Sequence, residues 1–393
     1  MSKEAGAEAS AAWAGWWTLG FAGLGILMQW GRGRWAVGVY QVGILLTMLA
    51  WSWWMAGRRT AVRWPVAWWP LAVIPVWAAA QWGLGGTVYP WVTAEKCVEW
   101  TVHACAAWMV AQAAGSSRFR AGVRAAVAWF AGVLAVVALL QFFTSEGKVF
   151  WLFESGYTDR VLGPFVYHNK YAQFVELCIP ILLYQALVRR QQAVACLAAA
   201  GLLFGGVVAG GSRSGVVLVA AEVPLVLALA GWRGLLGSRR WGVVAAQAVG
   251  VLAVGGVLAG WGGVYGRLTG IDPLSDVRFP LMQSSWRMIE AAPWTGTGLG
   301  TWPTVYPAYA SFDNGLVANQ AHCDWLQWAA EGGVPFATMM VAWAALLCWR
   351  LPRSVWGVGF LVVLAHALFD YPFQQLPAFA TLLVCVALTA AED

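Results

Sequence analysis

Arg213 stands in the run Gly211-Ser212-Arg213-Ser214-Gly215, between two long apolar stretches. A guanidinium so close to hydrocarbon is costly unless it meets an anion or a wet cavity. The small flanking residues would let a phosphate approach, and the plainer alternative is an arginine snorkelling from a helix end. Arg287 lies in LMQSSWRMI (281–289), a pattern that predicts a short amphipathic helix along the membrane surface. There Met282, Trp286 and Ile289 would share one face, and Gln283, Ser284, Arg287 and Glu290 the other. Arg287 would then meet either an anion or Glu290 at i,i+3. His322, in the segment 319–331, has the chemistry of a general base near neutral pH, or of an interfacial aromatic. Placed on a helix it shares a face with Trp325, Leu326 and Ala329. Glu331 would be about 180° away and unable to orient it. Asn169, Gln173 and Glu176 form a polar stripe at i, i+4 and i+7, while His366 and Asp370 are one turn apart.

The elements that must position these residues follow from composition. Of 393 residues 60% are hydrophobic and 11% charged, against about 25% charged in a soluble domain. Twelve apolar stretches are readable, near 11–30, 35–56, 64–82, 97–114, 125–143, 170–188, 193–210, 214–232, 241–260, 331–349, 354–370 and 374–391. The reading is therefore an all-α, polytopic membrane protein of about twelve transmembrane helices, with one membrane domain over 1–393. The 29 Trp suit many membrane–water boundaries. No cleavable signal peptide is expected.

Orientation comes from the basic residues. Arg58/Arg59/Arg63, Arg118/Arg120/Arg124, Arg189/Arg190, Arg233/Arg239/Arg240 and Arg350/Arg353 occupy the loops after even-numbered stretches, so these loops and both termini are expected to be cytoplasmic. Arg32 and Arg34, in the first outer loop, run against the trend. The net charge of +6 is thus a topology signal, and no nucleic-acid partner is expected. Two outer segments, 144–169 and 261–330, are too long to be mere connections. The seven scattered Cys form no CxxC pair, and a Cys97–Cys323 bridge would be a guess. No HExxH, P-loop or nucleophile elbow occurs. GTGLG (296–300) follows no strand, so it is not read as a dinucleotide fingerprint.

Five segments, VLGPFVYHNKYAQFVELCIP (161–180), GGSRSG (210–215), WRMIEAAPWTGTGLGTW (286–302), AHCDWLQWAAEGGVP (321–335) and HALFDYPFQ (366–374), occur in an order and spacing that resembles the O-antigen ligase and polymerase superfamily. The resemblance implies a bacterial inner-membrane glycosyltransferase with a large periplasmic loop bearing short interfacial helices. Such an enzyme takes a glycan from undecaprenyl pyrophosphate and passes it to a hydroxyl acceptor, such as a lipid A core or a glycan. No metal and no cofactor are implied; membrane lipids surround it. Matched motif by motif, Arg213, Arg287 and His322 are the implied catalytic residues. Asn169, Arg160, Asp324, His366 and Asp370 are the candidate substrate-binding residues. Lys170 departs from the pattern, since many relatives carry His or another residue beside that Asn.

The chemistry agrees with the assignment. Two arginines could stabilise a departing pyrophosphate, and His322 could take the acceptor's proton. In-line attack predicts inversion at the anomeric carbon. The alternatives are a polymerase of lipid-linked repeat units, a protein O-glycosylating enzyme and, from another class, an inorganic-carbon-type transporter. A transporter would need a polar path through the whole bilayer, yet Glu176 and Glu222 are the acidic residues clearly inside spans.

Overall fold

A chain this apolar can satisfy its backbone in lipid only by closing hydrogen bonds within each segment, which helices do. The computed structural model describes residues 3–31, 34–57, 62–65, 68–156, 161–235, 247–250, 253, 255–257, 260, 278–312, 315, 317–350 and 354–389. Its helices are α1 (Lys3–Met28), α2 (Arg34–Ala56), α3 (Trp69–Gly83), α4 (Pro90–Ala113), α5 (Ser117–Thr144), α6 (His168–Val188), α7 (Ala193–Gly210), α8 (Arg213–Trp232), α9 (Arg278–Ala291), α10 (Asp324–Arg350), α11 (Val355–His366) and α12 (Leu376–Thr389). The fold is that of an all-α membrane protein. Serines cap three of these helices: Ser116 accepts from Phe119 N, Ser212 from Gly215 N and Ser354 from Trp356 N. Proline opens α4, where its missing N–H costs nothing.

Among the described residues six helical stretches are long and apolar enough to cross a bilayer: Trp35–Ala56, Ser117–Thr144, His168–Val188, Arg190–Gly210, Arg213–Trp232 and Asp324–Cys348. Other expected spans also lie on helices, but α3, α11 and α12 have only 15, 12 and 14 residues. At 1.5 Å per residue these fall short of a hydrocarbon core of about 30 Å. The ninth expected span, 241–260, lies largely outside the described residues, as does the first part of the 261–330 segment. The tenth begins earlier than its hydrophobicity suggests. Helix α10 starts at Asp324 and is kinked at Gly333, whose φ of 78° and ψ of 170° are not helical.

Helix α6 is the centre of the bundle. It is buried almost all round and packs against α5, α7, α8, α11 and α12. Two glycines allow the closest approaches. A Cβ on Gly215 of α8 would come within 2.5 Å of Ala172 Cβ, and one on Gly359 of α11 within 2.6 Å of the Glu176 carbonyl. Small residues at such crossings let polar side chains on neighbouring helices meet.

The 144–169 segment contains a two-stranded antiparallel hairpin that the sequence reading did not anticipate, β1 (Lys148–Val149) and β2 (Phe153–Glu154), with Lys148 opposite Glu154. Gln141 of α5 staples the segment down. Its Nε2 donates to Gly163 O at 2.7 Å and its Oε1 accepts from Phe150 N at 2.7 Å. All seven cysteines are free, so Cys97 and Cys323 do not pair; the Cys97 thiol instead donates to Pro75 O.

Replacing Gly359 by Ala should lower stability by about 1–3 kcal/mol, seen as earlier thermal unfolding in detergent. Gly38→Ala, whose Cβ meets nothing within 4 Å, should leave unfolding unchanged or later.

Candidate active site

The N-terminal ends of α6, α8 and α10 and the C-terminal end of α11 converge on one polar cluster. Its centre is Asp370, which is 1% exposed. Asn169 Nδ2, from the first turn of α6, donates to Asp370 Oδ2 at 2.5 Å. The Asn169 carbonyl oxygen accepts from Ser212 Oγ at 2.8 Å, so the N-cap of α8 is bonded to the start of α6. The Tyr371 amide donates to Asp370 Oδ1 at 2.9 Å. His322 Nδ1 lies 3.6 Å from the same Oδ1, an ion-pair spacing longer than a hydrogen bond. Four of the five motifs are thus brought together at one end of the bundle, and residues 201 positions apart touch.

His322 does not sit on a helix, contrary to the face drawn for it from sequence. It precedes α10 by two residues, with φ at +53°. A left-handed conformation at a non-glycine residue costs on the order of 1–2 kcal/mol and needs support on both sides. That support is present. Ala321 N donates to Gln327 Oε1 at 3.0 Å, and Asp324 N donates to Ala367 O at 3.0 Å. The imidazole stands edge-on to Tyr371, with ring centres 4.9 Å apart. Its side chain keeps 22% exposure, so a ligand can reach it.

The other expected binding residues divide by role. Asp324 is fully buried, with Oδ2 accepting from Phe373 N at 2.9 Å and Oδ1 from Gln374 Nε2 at 3.3 Å. It stitches the start of α10 to the loop after α11 and stands behind His322. His366 is also fully buried. It is not paired mainly with Asp370, whose Oδ2 is 4.0 Å from its Nε2. Instead Nδ1 meets Glu176 Oε1 at 2.7 Å and Nε2 meets Ser214 Oγ at 3.0 Å. Both serines of the 211–215 run therefore wire α8 to its neighbours, and a buried Gln173 completes the stripe on α6. Arg160 lies outside the described residues.

Arg213 is the first residue of α8, half-buried beside Ser212. Arg287 is exposed on α9 and makes no side-chain hydrogen bond or ion pair among the described residues. The pair foreseen with Glu290 is not formed, because Glu290 Oε1 accepts from Trp286 Nε1 at 2.8 Å. The face drawn for this helix also needs correction. Leu281, Ser284, Ser285, Met288 and Ile289 are buried, while Trp286 is 56% exposed on the side of Arg287. The buried face packs on Trp302, Ala329 and Ala330, which fixes α9 against α10.

What sequence reasoning missed is the frame that holds this unit. Glu331 accepts from Gly300 N at 2.9 Å, Trp302 N at 3.0 Å and Gln327 Nε2 at 3.1 Å. Gln81 of α3 donates to Thr295 O and Glu331 O and accepts from Leu299 N. The glycine-rich turn therefore packs into the kink of α10; a Cβ on Gly296 would lie 2.3 Å from the Glu331 carbonyl. Only the glycines hinted at it, since Gln81 and Glu331 are 250 residues apart. Glu331→Ala would strand two backbone N–H groups and should destabilise by roughly 2–5 kcal/mol, measured by denaturant unfolding and by protease access at 293–302.

No curated protein matches the chain. The family model described as O-antigen ligase matches residues 198–341, a span that includes Arg213, Arg287 and His322 and leaves out Asn169, His366 and Asp370. Residues 198–341 are thus similar to the O-antigen ligase family, which is consistent with the ligase and polymerase superfamily that the motifs resemble.

Proposed function

We propose that the protein transfers a glycan from undecaprenyl pyrophosphate to a hydroxyl acceptor at the periplasmic face of the bacterial inner membrane, acting as an O-antigen ligase without a metal and with inversion. Both termini are then cytoplasmic, and twelve crossings bring the convergent helix ends to the periplasmic side. The observation that carries this reading is the His322–Asp370 pair, an imidazole with one nitrogen beside a buried carboxylate and an exposed edge. A base oriented in this way keeps its other nitrogen for the substrate.

In this reading the acceptor hydroxyl attacks the anomeric carbon from the face opposite the pyrophosphate. As the new carbon–oxygen bond forms and the bond to pyrophosphate breaks, His322 takes the hydroxyl proton. Asp370 stabilises the resulting imidazolium and keeps the ring from turning. The departing undecaprenyl pyrophosphate carries away the electron pair, and its charge meets Arg213 and Arg287. The N-terminal ends of α6 and α8 add favourable dipole charge for an anion. Asn169 holds Asp370 in place and so acts as a positioning residue.

The test uses the purified full chain with an undecaprenyl-pyrophosphate-linked glycan and a lipid A core acceptor. His322→Ala should cut transfer at least about a hundredfold, and Arg213→Ala and Arg287→Ala by a similar factor. Undiminished transfer in the variants would reject the assignment. A single capped acceptor marks a ligase; a ladder of products would make the protein a polymerase of the same donor.

A further inference from the structure

Residues 116–136 and 182–202 hold five arginines and no acidic residue. The same stretches are rich in alanine and glycine where α5 and α7 pass each other, and a Cβ on Gly132 would lie 3.4 Å from Ala199 Cβ. Small side chains leave a hollow beside this crossing, an apolar groove of about 320 Å³. Its floor is Leu182 of α6 and Cys196 of α7, both buried. Its lips are Trp129 and Val133 of α5 and Ala195 and Ala198 of α7, all exposed. None of these residues belongs to the candidate active site.

Length and charge identify what fills it. The lining runs along α5 from Ala125 to Val136, a rise of about 16 Å, against about 15 Å for half of a hydrocarbon core. The groove is therefore one leaflet long. A helix from a second copy of the chain would cross the whole core and need a seam twice that length. One end of the groove is cationic. Arg124, Ala128 and Gly132 lie at i, i+4 and i+8, so Arg124 stands one turn beyond Ala128 on the groove's side of α5. Arg189 lies two turns beyond Leu182 on α6, and the short turn that starts at Arg190 ends at Gln192, on the rim. Arg189 and Arg190 are exposed and make no side-chain hydrogen bond or ion pair among the described residues. This end is remote from the candidate active site, because α6 runs from Asn169 there to Arg189 here, about 30 Å of helix.

We infer that the groove is a binding site for an anionic phospholipid of the leaflet opposite the active site. One acyl chain lies along α5 and α7, and the phosphodiester meets Arg124, Arg189 and Arg190. A hollow facing hydrocarbon forfeits dispersion contacts until a chain fills it. Guanidinium groups hold phosphate oxygens through paired donors, and basic residues at the ends of transmembrane helices collect anionic headgroups. A zwitterionic lipid brings its own ammonium and gains less from the arginines. The bound lipid ties the turn between α6 and α7 to the start of α5. The site shares no residue with the proposed glycan transfer and stands without it; on the orientation proposed above, the leaflet is the cytoplasmic one.

The test titrates the full chain in detergent with dioleoylphosphatidylglycerol or dioleoylphosphatidylcholine and reads the first lipid bound by native mass spectrometry. Phosphatidylglycerol should bind at least about tenfold more tightly than phosphatidylcholine. Replacing Arg124, Arg189 and Arg190 together by Gln should remove that preference. Ala195→Leu and Ala198→Leu fill the groove from exposed positions, keep every charge and suit a helix. Each should weaken phosphatidylglycerol binding about tenfold, and they decide the matter if the arginine variant fails to insert. Lys148→Gln, which removes an exposed cation at the other end of the bundle, should stay within about twofold. Phosphatidylglycerol should also raise the thermal unfolding midpoint of the wild type and leave that of Ala198→Leu in place. Equal affinity of the wild type for the two lipids would overturn the inference, as would wild-type binding by both alanine variants. A lipid-independent dimer that Ala198→Leu dissolves would overturn it too, by giving the groove to a second copy of the chain.

Discussion

Asp370 is the carboxylate on which the other polar contacts of this end of the bundle depend. It follows the end of α11, yet its oxygens are held by the first turn of α6 and by its own neighbour's amide, and they face the imidazole that precedes α10. An unpaired carboxylate at this depth would be costly, so each partner is needed for the next. Asn169 can serve Asp370 because its carbonyl oxygen is already engaged by Ser212, which in turn starts α8. Tertiary geometry, ion pairing and helix capping are here one arrangement.

Behind it stands a second layer of buried polar residues. His366 joins Glu176 to Ser214, and Asp324 joins α10 to the turn at 372–374. These bonds explain how His322 keeps a left-handed backbone while its ring stays exposed. Hydrogen bonds that run between separate helices in this way rigidify what they surround, although Glu176 Oε2 and His322 Nδ1 make no hydrogen bond among the described residues. Helix α6 ties both layers together, carrying Asn169 to Asp370 and Glu176 to His366.

The helices were largely legible, because an apolar run bounded by arginines has few other meanings in a chain this poor in charge. The residues of the candidate site were legible as types, and their convergence was implied by the family pattern. Their wiring was not. His366 one turn from Asp370 suggested a local pair, yet each is claimed by a residue about 200 positions away. Trp286 suggested a buried face, but the helix buries two serines whose hydroxyls bond back to the preceding turn, at Pro280 O and Leu281 O. His322 was drawn on a helix because its segment, 319–331, runs into the tenth apolar stretch. The loop after α11, which holds Asp324, begins α10 later than that pattern suggests. Long-range partners override local periodicity in each case, and one sequence carries no record of them.

The most direct measurement is a double-mutant cycle of His322→Gln and Asp370→Asn, read as kcat/KM for glycan transfer. If the pair acts as a unit, either single change removes most of the activity and the double change adds little to the worse single one. Additive losses across the cycle would contradict the pairing and leave Asp370 a structural carboxylate beside an independent base.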